Sequence, residues 1–497
     1  MSPATSSERT VAPEARSGLA PWRVGDLPEP PHPRGLAWLG VVGPGVIVLG
    51  ASIGSGEFLL GPAAFVRYGL TLLWVTTVAA FLQTVLNTEL MRYTIATGEP
   101  MFTGFMRTRP RASVWASFYA VLYFLQVGWP GWAGAAAGAV FFLFAGKLAG
   151  PEDASAVYWI GVATFAACVA ILLFGRRVER TLEWLNWILV AAILTGFVVL
   201  ALLFVSPATW LRGVAGMVGF DPATRTFGFI PRGADFFLIG AFAAYSGAGG
   251  VINLTLSNWA RDKGYGMSAA VGYIPAAVGG KKVQLAHSGF VFEPTDEALA
   301  RWRGWWRIVR ADQWVVYFVG ALLGMLLPGV LYVSFLEGGS DIRGLAIAGE
   351  LASAMAARSG PALGVLVAIM GVWVLFKTQL DILDGMTRAL TDILWTGSRR
   401  LREWRGGDVR VVYYAILGIA AVWGVIALRL AQPIVLLQLG ANMAGVVFVV
   451  SALHVLWVNT TLLPEPLRPP LWRRAALVAL AVFYGGFVAL WLRSVLA

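Results

Sequence analysis

The sequence predicts an all-α polytopic membrane protein of about eleven transmembrane helices, arranged as a 5+5 inverted repeat plus one extra helix. Three observations carry the prediction: 58% of the 497 residues are hydrophobic and only 13% charged, bilayer-length apolar runs recur along the chain, and two of these runs are interrupted at corresponding places. Candidate spans run approximately Leu36–Val66, Leu70–Ala96, Ser113–Ala145, Val157–Phe174, Leu182–Val205, Asp235–Trp259, Asp312–Leu336, Pro361–Ile393, Val411–Leu428, Pro433–Val458 and Trp472–Leu492. Residues 35–206 hold the first repeat, 207–234 an outer loop, 235–458 the second repeat with a long loop at 262–311, and 459–497 the last span.

Residues 1–34 are rich in Pro, Ser, Ala and mixed charge and lack a signal peptide's apolar region, so they are expected to form a disordered cytoplasmic tail. With that end inside, 28 of the 38 Lys and Arg fall in cytoplasmic segments. The bias sets the N-terminus in the cytoplasm and, with an odd span count, the C-terminus outside, in a plasma or inner membrane. The net charge of +11 is thereby explained by topology, and nucleic acid is not an expected partner. Cys168 is the only cysteine, which excludes disulfide frameworks and thiolate metal cages. GASIGSGE lacks the Lys-Ser/Thr of a phosphate loop, and the three histidines show no ligand spacing. The reading is a transporter rather than an enzyme, with no cofactor expected, the lipid bilayer and a small solute or cation as partners, and protein partners undefined.

In the first span, GASIGSGEFLLG places Gly54, Ser55, Gly56 and Glu57 in the middle of an apolar run. Glycine weakens helix there, and backbone groups freed within hydrocarbon need new partners. The sixth span repeats the device with Ser246, Gly247, Gly249 and Gly250. Two interrupted helices five spans apart mark the solute site of an inverted-repeat transporter, although glycine in a membrane helix also simply permits close packing. Glu57 is an ionisable group in the membrane, suited to cation coordination, proton carriage or capping of a half-helix. The eighth span sets Lys377, Asp381, Asp384 and Arg388 on one face, readable as an ion relay, a gate or a self-neutralising stripe. Gln83, Asn87, Glu89, Gln126, Asn253, Ser257 and Asn442 are weaker polar candidates, each able to line a cavity or to bond a neighbouring helix. In the long loop, Lys281–Pro294 suggests a short hairpin. The following segment sets Trp302, Trp305, Trp306 and Val309 on one helical face among arginines, which predicts an interfacial helix anchored in headgroups.

These residues resemble the Nramp divalent-metal transporters, which have eleven helices and a LeuT-type inverted repeat. The likeness is carried by Gly43-Pro44-Gly45 opening the first span, by Leu82-Gln83, Arg92 and Thr97-Gly98 in the second, and by Gln379 and Gly385 within TQLDILDG of the eighth. It implies metal-ion symport by alternating access, with Gln379 near the site. At the site the chain departs from the family. Gly54-Ser55-Gly56-Glu57 stands where the family has Asp-Pro-Gly-Asn, and Ala244-Tyr245-Ser246 stands where it has Met-Pro-His. Soft sulfur and paired hard ligands are what select a transition metal, and both are missing. The metal ligands are therefore unknown. Three readings are open: a different cation held at Glu57, a neutral or organic solute held by the broken helices, and a non-transporting receptor or scaffold that keeps the fold.

Overall fold

The computed structural model describes residues 10–11, 18–173, 178–273, 288–340, 342, 347–406 and 408–496. Ten helical runs among them are long and apolar enough to cross a membrane. The sixth predicted span makes the eleventh crossing, and it falls short of that length because it is split into Phe236–Ala244 and Val251–Lys263. The chain is thus a multi-pass membrane protein with the expected number of crossings.

The eighth span, Pro361–Gly397, is the central post, packed against the first, third, fourth, fifth and ninth. Its apolar end faces neighbours with Val367, Val374 and Leu375, while Lys377, Gln379, Asp381, Asp384 and Arg388 are all buried farther along. The first span is helical over Pro44–Ser52, opens at Ile53–Gly54, then resumes through a widened turn at Gly56–Leu60 and Gly61–Tyr68. Sequence periodicity predicts one continuous third span, but it consists of Ala112–Val127 and Gly131–Ala145. Pro130 is the cause: it has no N–H to give and disfavours helix in the residue before it.

The connections fall at two ends of the bundle. One, here termed the tail end, carries residues 18–34, the 99–111 connection and the segment around Gly289; the far end carries the connections after Ala145, Phe204, Phe335 and Ala427. Two expectations change at the tail end. The described part of the predicted disordered tail is packed: Trp22 and Leu27 are buried, Arg107 donates to the Ala20 carbonyl (3.0 Å), and Arg301 donates to that of Leu27 (3.0 Å). Two aromatic and aliphatic side chains among polar residues suffice to dock a short segment that composition alone reads as unfolded.

Of the predicted hairpin, Lys281–His287 lies outside the described residues; in its described part, Phe290–Val291 pairs in parallel with Trp22–Val24. The tryptophan helix, Asp296–Arg310, runs directly into the seventh span rather than lying alone in the headgroup layer. Trp302 and Trp305 are buried by protein, and the Trp305 indole donates to the Pro28 carbonyl (2.8 Å). Helical spacing identified the apolar face but not what covers it. The outer arginines of this helix remain exposed, whereas Arg92 and Arg473 stack over Trp306 and share Glu89.

Candidate functional site

The two interrupted spans meet. A Cβ added to Gly56 would lie 1.8 Å from the Tyr245 carbonyl oxygen, so only glycine lets the first span approach the sixth this closely. Between them is a space of about 10 Å³, bordered by Ser52, Ser55, Trp132, Tyr245, Ile252 and Ile382. Ala51, Gly56, Gly247 and Ala248 complete its wall. A space this small holds about one water molecule. The site is closed around itself.

Several of the freed backbone groups are held by side chains of neighbouring spans. In the sixth span, Gln126 donates to the Gly249 carbonyl (2.8 Å) and accepts from the Val251 amide (2.9 Å), so one side chain bridges the gap. Gln83 donates to the Ser246 carbonyl (3.0 Å) and to Tyr484 (2.7 Å), and it accepts from Tyr317 (2.8 Å). The Tyr317 hydroxyl in turn accepts from the Ala248 amide (3.2 Å). Left unpaired in a buried site, each such group would cost about 1–3 kcal/mol. At the first-span break, Thr378 of the eighth span, whose hydroxyl donates to its own helix at the Val374 carbonyl (2.9 Å), also faces the Ile53 carbonyl (3.3 Å).

Glu57 is fully buried and turned back on the break: Ser52 donates to one oxygen (2.8 Å) and the Gly54 amide to the other (3.3 Å). It makes no ion pair with Lys377, whose partner is Asp381 at 3.8 Å. The glutamate thus caps its own half-helix, beside the space rather than open to it. Ser55 accepts from the Trp132 indole (2.9 Å), and the Trp132 and Tyr245 rings stack with centroids 6.1 Å apart.

The predicted stripe on the eighth span divides into two clusters. Lys377 and Asp381 stand beside the first-span break and Asn186 of the fifth span, whose amide donates to Asp381 (2.8 Å). Asp384 and Arg388 belong to a lock nearer the tail end. Arg388 donates to Asp384 (3.0 and 2.9 Å) and to Asp262 of the sixth span; Arg261 joins Asp262 and Asp392. Tyr413 (2.6 Å) and Trp259 (3.0 Å) also donate to Asp384. Two arginines and three aspartates, all buried, thus tie the sixth span's second half to the eighth.

Gln379 and Asn253 do not line the space. Gln379 accepts from the Ala133 amide (3.1 Å), satisfying the helix start that Pro130 creates. Asn253 donates to Asn87 (2.9 Å), which donates to Gln313 (2.9 Å), and Gln313 reaches Asp312 (2.8 Å). Asp312 closes that chain on the Gly43 and Gly45 amides at the first span's start. Of the weaker candidates, Asn442 bonds the Phe237 carbonyl (3.0 Å) and Ser257 accepts from the Met101 amide (3.0 Å), both helix-to-helix ties. Residues at the candidate site that were not singled out from sequence include Ser52, Trp132, Asn186, Ile252, Thr378 and Ile382. Pro130-Gly131 was the available signal for Trp132, since this third broken helix places its first residues toward the other two.

A larger depression of about 910 Å³ opens at the far end, lined among others by Tyr158, Trp159, Glu350 and Arg429. It contains no residue of either break, but its wall includes Gly134, two positions beyond Trp132.

Neither a scan of family models nor a comparison with curated sequences gives a match. Solved structures do match. A point mutant of the manganese transporter of Eremococcus coleocola aligns over 96% of this chain and 89% of its own, with a TM-score of 0.65 and 15% identity. The same transporter in complex with an aromatic bis-isothiourea compound gives a TM-score of 0.61 at 16% identity, over 97% and 91% of the two chains. Mhp1, a nucleobase-cation-symport-1 family transporter in a closed conformation with bromovinylhydantoin bound, gives 0.54 at 11% identity over 91% and 93%. The chain therefore has the LeuT-type fold shared by these transporters, as the resemblance of its first, second and eighth spans implies.

Proposed function

We propose that this protein is a secondary transporter that moves a small organic solute by alternating access through the space between the first and sixth spans. The observation that carries the reading is the meeting of two broken helices around an enclosed space walled by Trp132, Tyr245, Ile252 and Ile382. Inward-facing aromatic and aliphatic walls with a few hydroxyl and backbone groups suit an organic solute. Support against a metal cargo comes from the donor set: among the described residues no three His, Cys, Asp or Glu converge. Glu57 is already engaged by Ser52 and Gly54. The named ligand of one fold neighbour is an organic ring compound, whereas the other neighbour is named for manganese.

The tail end is the cytoplasmic face in this reading, by the bias of Lys and Arg, and the membrane is a plasma or inner membrane. The Arg388–Asp262–Asp384 lock is then an inner gate that is closed here, and the far-end depression is the outward vestibule. Opening inward parts the sixth span from the eighth. The test is uptake into proteoliposomes of manganese and of radiolabelled amino-acid and nucleobase panels. Saturable uptake of an organic solute that excess manganese does not compete supports the proposal. Saturable manganese uptake, or no flux of any solute, overturns it.

A further inference from the structure

Trp306, on the helix Asp296–Arg310 that enters the seventh span, is ringed by arginine. Arg92 of the second span and Arg473 of the eleventh stack on its indole, their guanidinium carbons 4.3 and 5.0 Å from the ring centroid. Arg303 and Arg310 flank it on its own helix at the i−3 and i+4 positions, about one turn to either side. One carboxylate answers these four cations: Glu89 holds Arg92 (2.7 Å) and Arg473 (3.1 Å). Arg303 and Arg310 are exposed, as is Arg307 beside them, and none of the three has an ion pair among the described residues. Glu465, in the connection that leads to Arg473, pairs with none of the cluster. By contrast, Arg301 on the opposite side of the same helix is paired with Glu297 (2.7 Å).

This excess of positive charge lies at a membrane boundary. Two turns beyond Trp306 the same helical run presents Trp314, which packs on Phe81 of the second span (ring centroids 5.6 Å apart) and on Phe318 (5.4 Å). Phe81, Val315 and Val319 are exposed there, so the surface passes directly from arginines to an apolar, bilayer-facing wall. Guanidinium groups without a counter-ion are matched to phosphate oxygens by charge and by their planar fork of donors. A water-soluble acidic partner would complement the arginines but not the wall below them. A glycerophospholipid of net negative charge complements both, with its phosphate among the arginines and an acyl chain along Trp314 and Phe81.

We infer that the corner between the second, seventh and eleventh spans is a binding site for an anionic glycerophospholipid. Arg303 and Arg310 take the phosphate, and Arg92 and Arg473, neutralised only in part by Glu89, add to the attraction from behind Trp306. A lipid held there joins the seventh span to the second and eleventh at their tail ends. Because the site concerns the bilayer and not the cargo, it is tested without knowing the transported solute, and its failure leaves the transport reading standing.

The experiment is thermal unfolding of the purified full chain in dodecyl maltoside, followed by tryptophan fluorescence, with increasing mole fractions of dioleoylphosphatidylglycerol or dioleoylphosphatidylcholine. Wild type is expected to show a saturable rise in Tm with phosphatidylglycerol and none with phosphatidylcholine. Arg303→Gln with Arg310→Gln is expected to raise the half-saturating mole fraction about 30-fold, and either change alone about fivefold, so the single variants serve if the pair does not fold. Arg399→Gln with Arg400→Gln removes the same charge from two exposed positions after the eighth span, and is expected to leave the half-saturating fraction unchanged. A wild type indifferent to phosphatidylglycerol, an equal response to both lipids, or equal losses in the two double variants overturns the inference. So does the same rise with glycerophosphoglycerol, the headgroup without chains, or with oligo-aspartate, since either assigns the arginines to a soluble anion.

Discussion

Arg388→Met tests the inner lock. The guanidinium is fully buried, holds both oxygens of Asp384, and joins Asp262 across the helix boundary. Breaking a buried ion pair costs about 3–5 kcal/mol. Tyr413 and Trp259 still donate to Asp384 after the change, and Arg261 still pairs with Asp262. Those remaining bonds offset part of the cost, which leaves roughly 2–4 kcal/mol. Because Asp262 and Asp384 lie on different spans, the loss falls largely on the state in which the spans are joined. At 1.4 kcal/mol per tenfold, the closed-inside state is disfavoured roughly 30- to 700-fold. Two assays read this: thermal unfolding in detergent, and the rate at which a single cysteine at Ser55 reacts with maleimide added from the tail side, in a Cys168→Ser background. Arg388→Met should lower Tm and accelerate labelling. Arg388→Met with Asp384→Leu should recover part of the lost stability, since an apolar pair replaces a stranded charge. Unchanged Tm and unchanged labelling in Arg388→Met would refute the lock.

Three further outcomes follow from named contacts. Gly56→Ala forces a methyl against the Tyr245 carbonyl; overpacking of this kind costs about 1–3 kcal/mol, so solute exchange should slow about 5- to 140-fold, and wild-type exchange would remove the close approach from the mechanism. Outside the spans, burial pushes the Glu99 carboxyl up, but the Arg107 guanidinium (2.5 and 2.7 Å) outweighs it and holds the carboxyl below its ordinary value of 4.5. The pair therefore stabilises fully above about pH 4.5 and loses its effect as pH falls through the lowered value, so Glu99→Gln should lower Tm at pH 7 and flatten the acid limb of the stability profile; parallel profiles would contradict the pairing. Trp22→Ala removes a side chain that is only 4% exposed and stacks on Arg107, with an expected loss of about 3–5 kcal/mol and faster proteolysis within residues 18–34. Proteolysis at the wild-type rate would mean that the segment is not held by this residue.

Apolar periodicity located all eleven crossings because hydrocarbon admits few alternatives to a continuous run of apolar residues. The breaks at Gly54 and Ser246–Gly250 were legible for the complementary reason: a run of small residues in such a setting weakens the helix. What periodicity does not encode is partnership across spans. Lys377 to Arg388 share a face, yet Asn186 claims one end of that face and Asp262 the other, and neither is near in sequence. Gln83 and Gln126 looked like ordinary interhelical donors; they are, but the carbonyls they hold belong to the sixth-span break. Composition misread residues 18–34 because docking there depends on Trp22 and Leu27 meeting a preformed surface, which average polarity does not register.

Alternating access at the paired breaks is measured most directly by the two-sided reactivity of Ser55→Cys in Cys168→Ser vesicles, using a membrane-impermeant maleimide on one side at a time. Ser55 borders the enclosed space and Cys168 is buried, so one reporter thiol reads the site. The predicted result is labelling from the far side and, more slowly, from the tail side, with both rates reduced by the transported solute. Labelling from neither side under any solute, or from one side only with Arg388→Met unable to add the other, would contradict it.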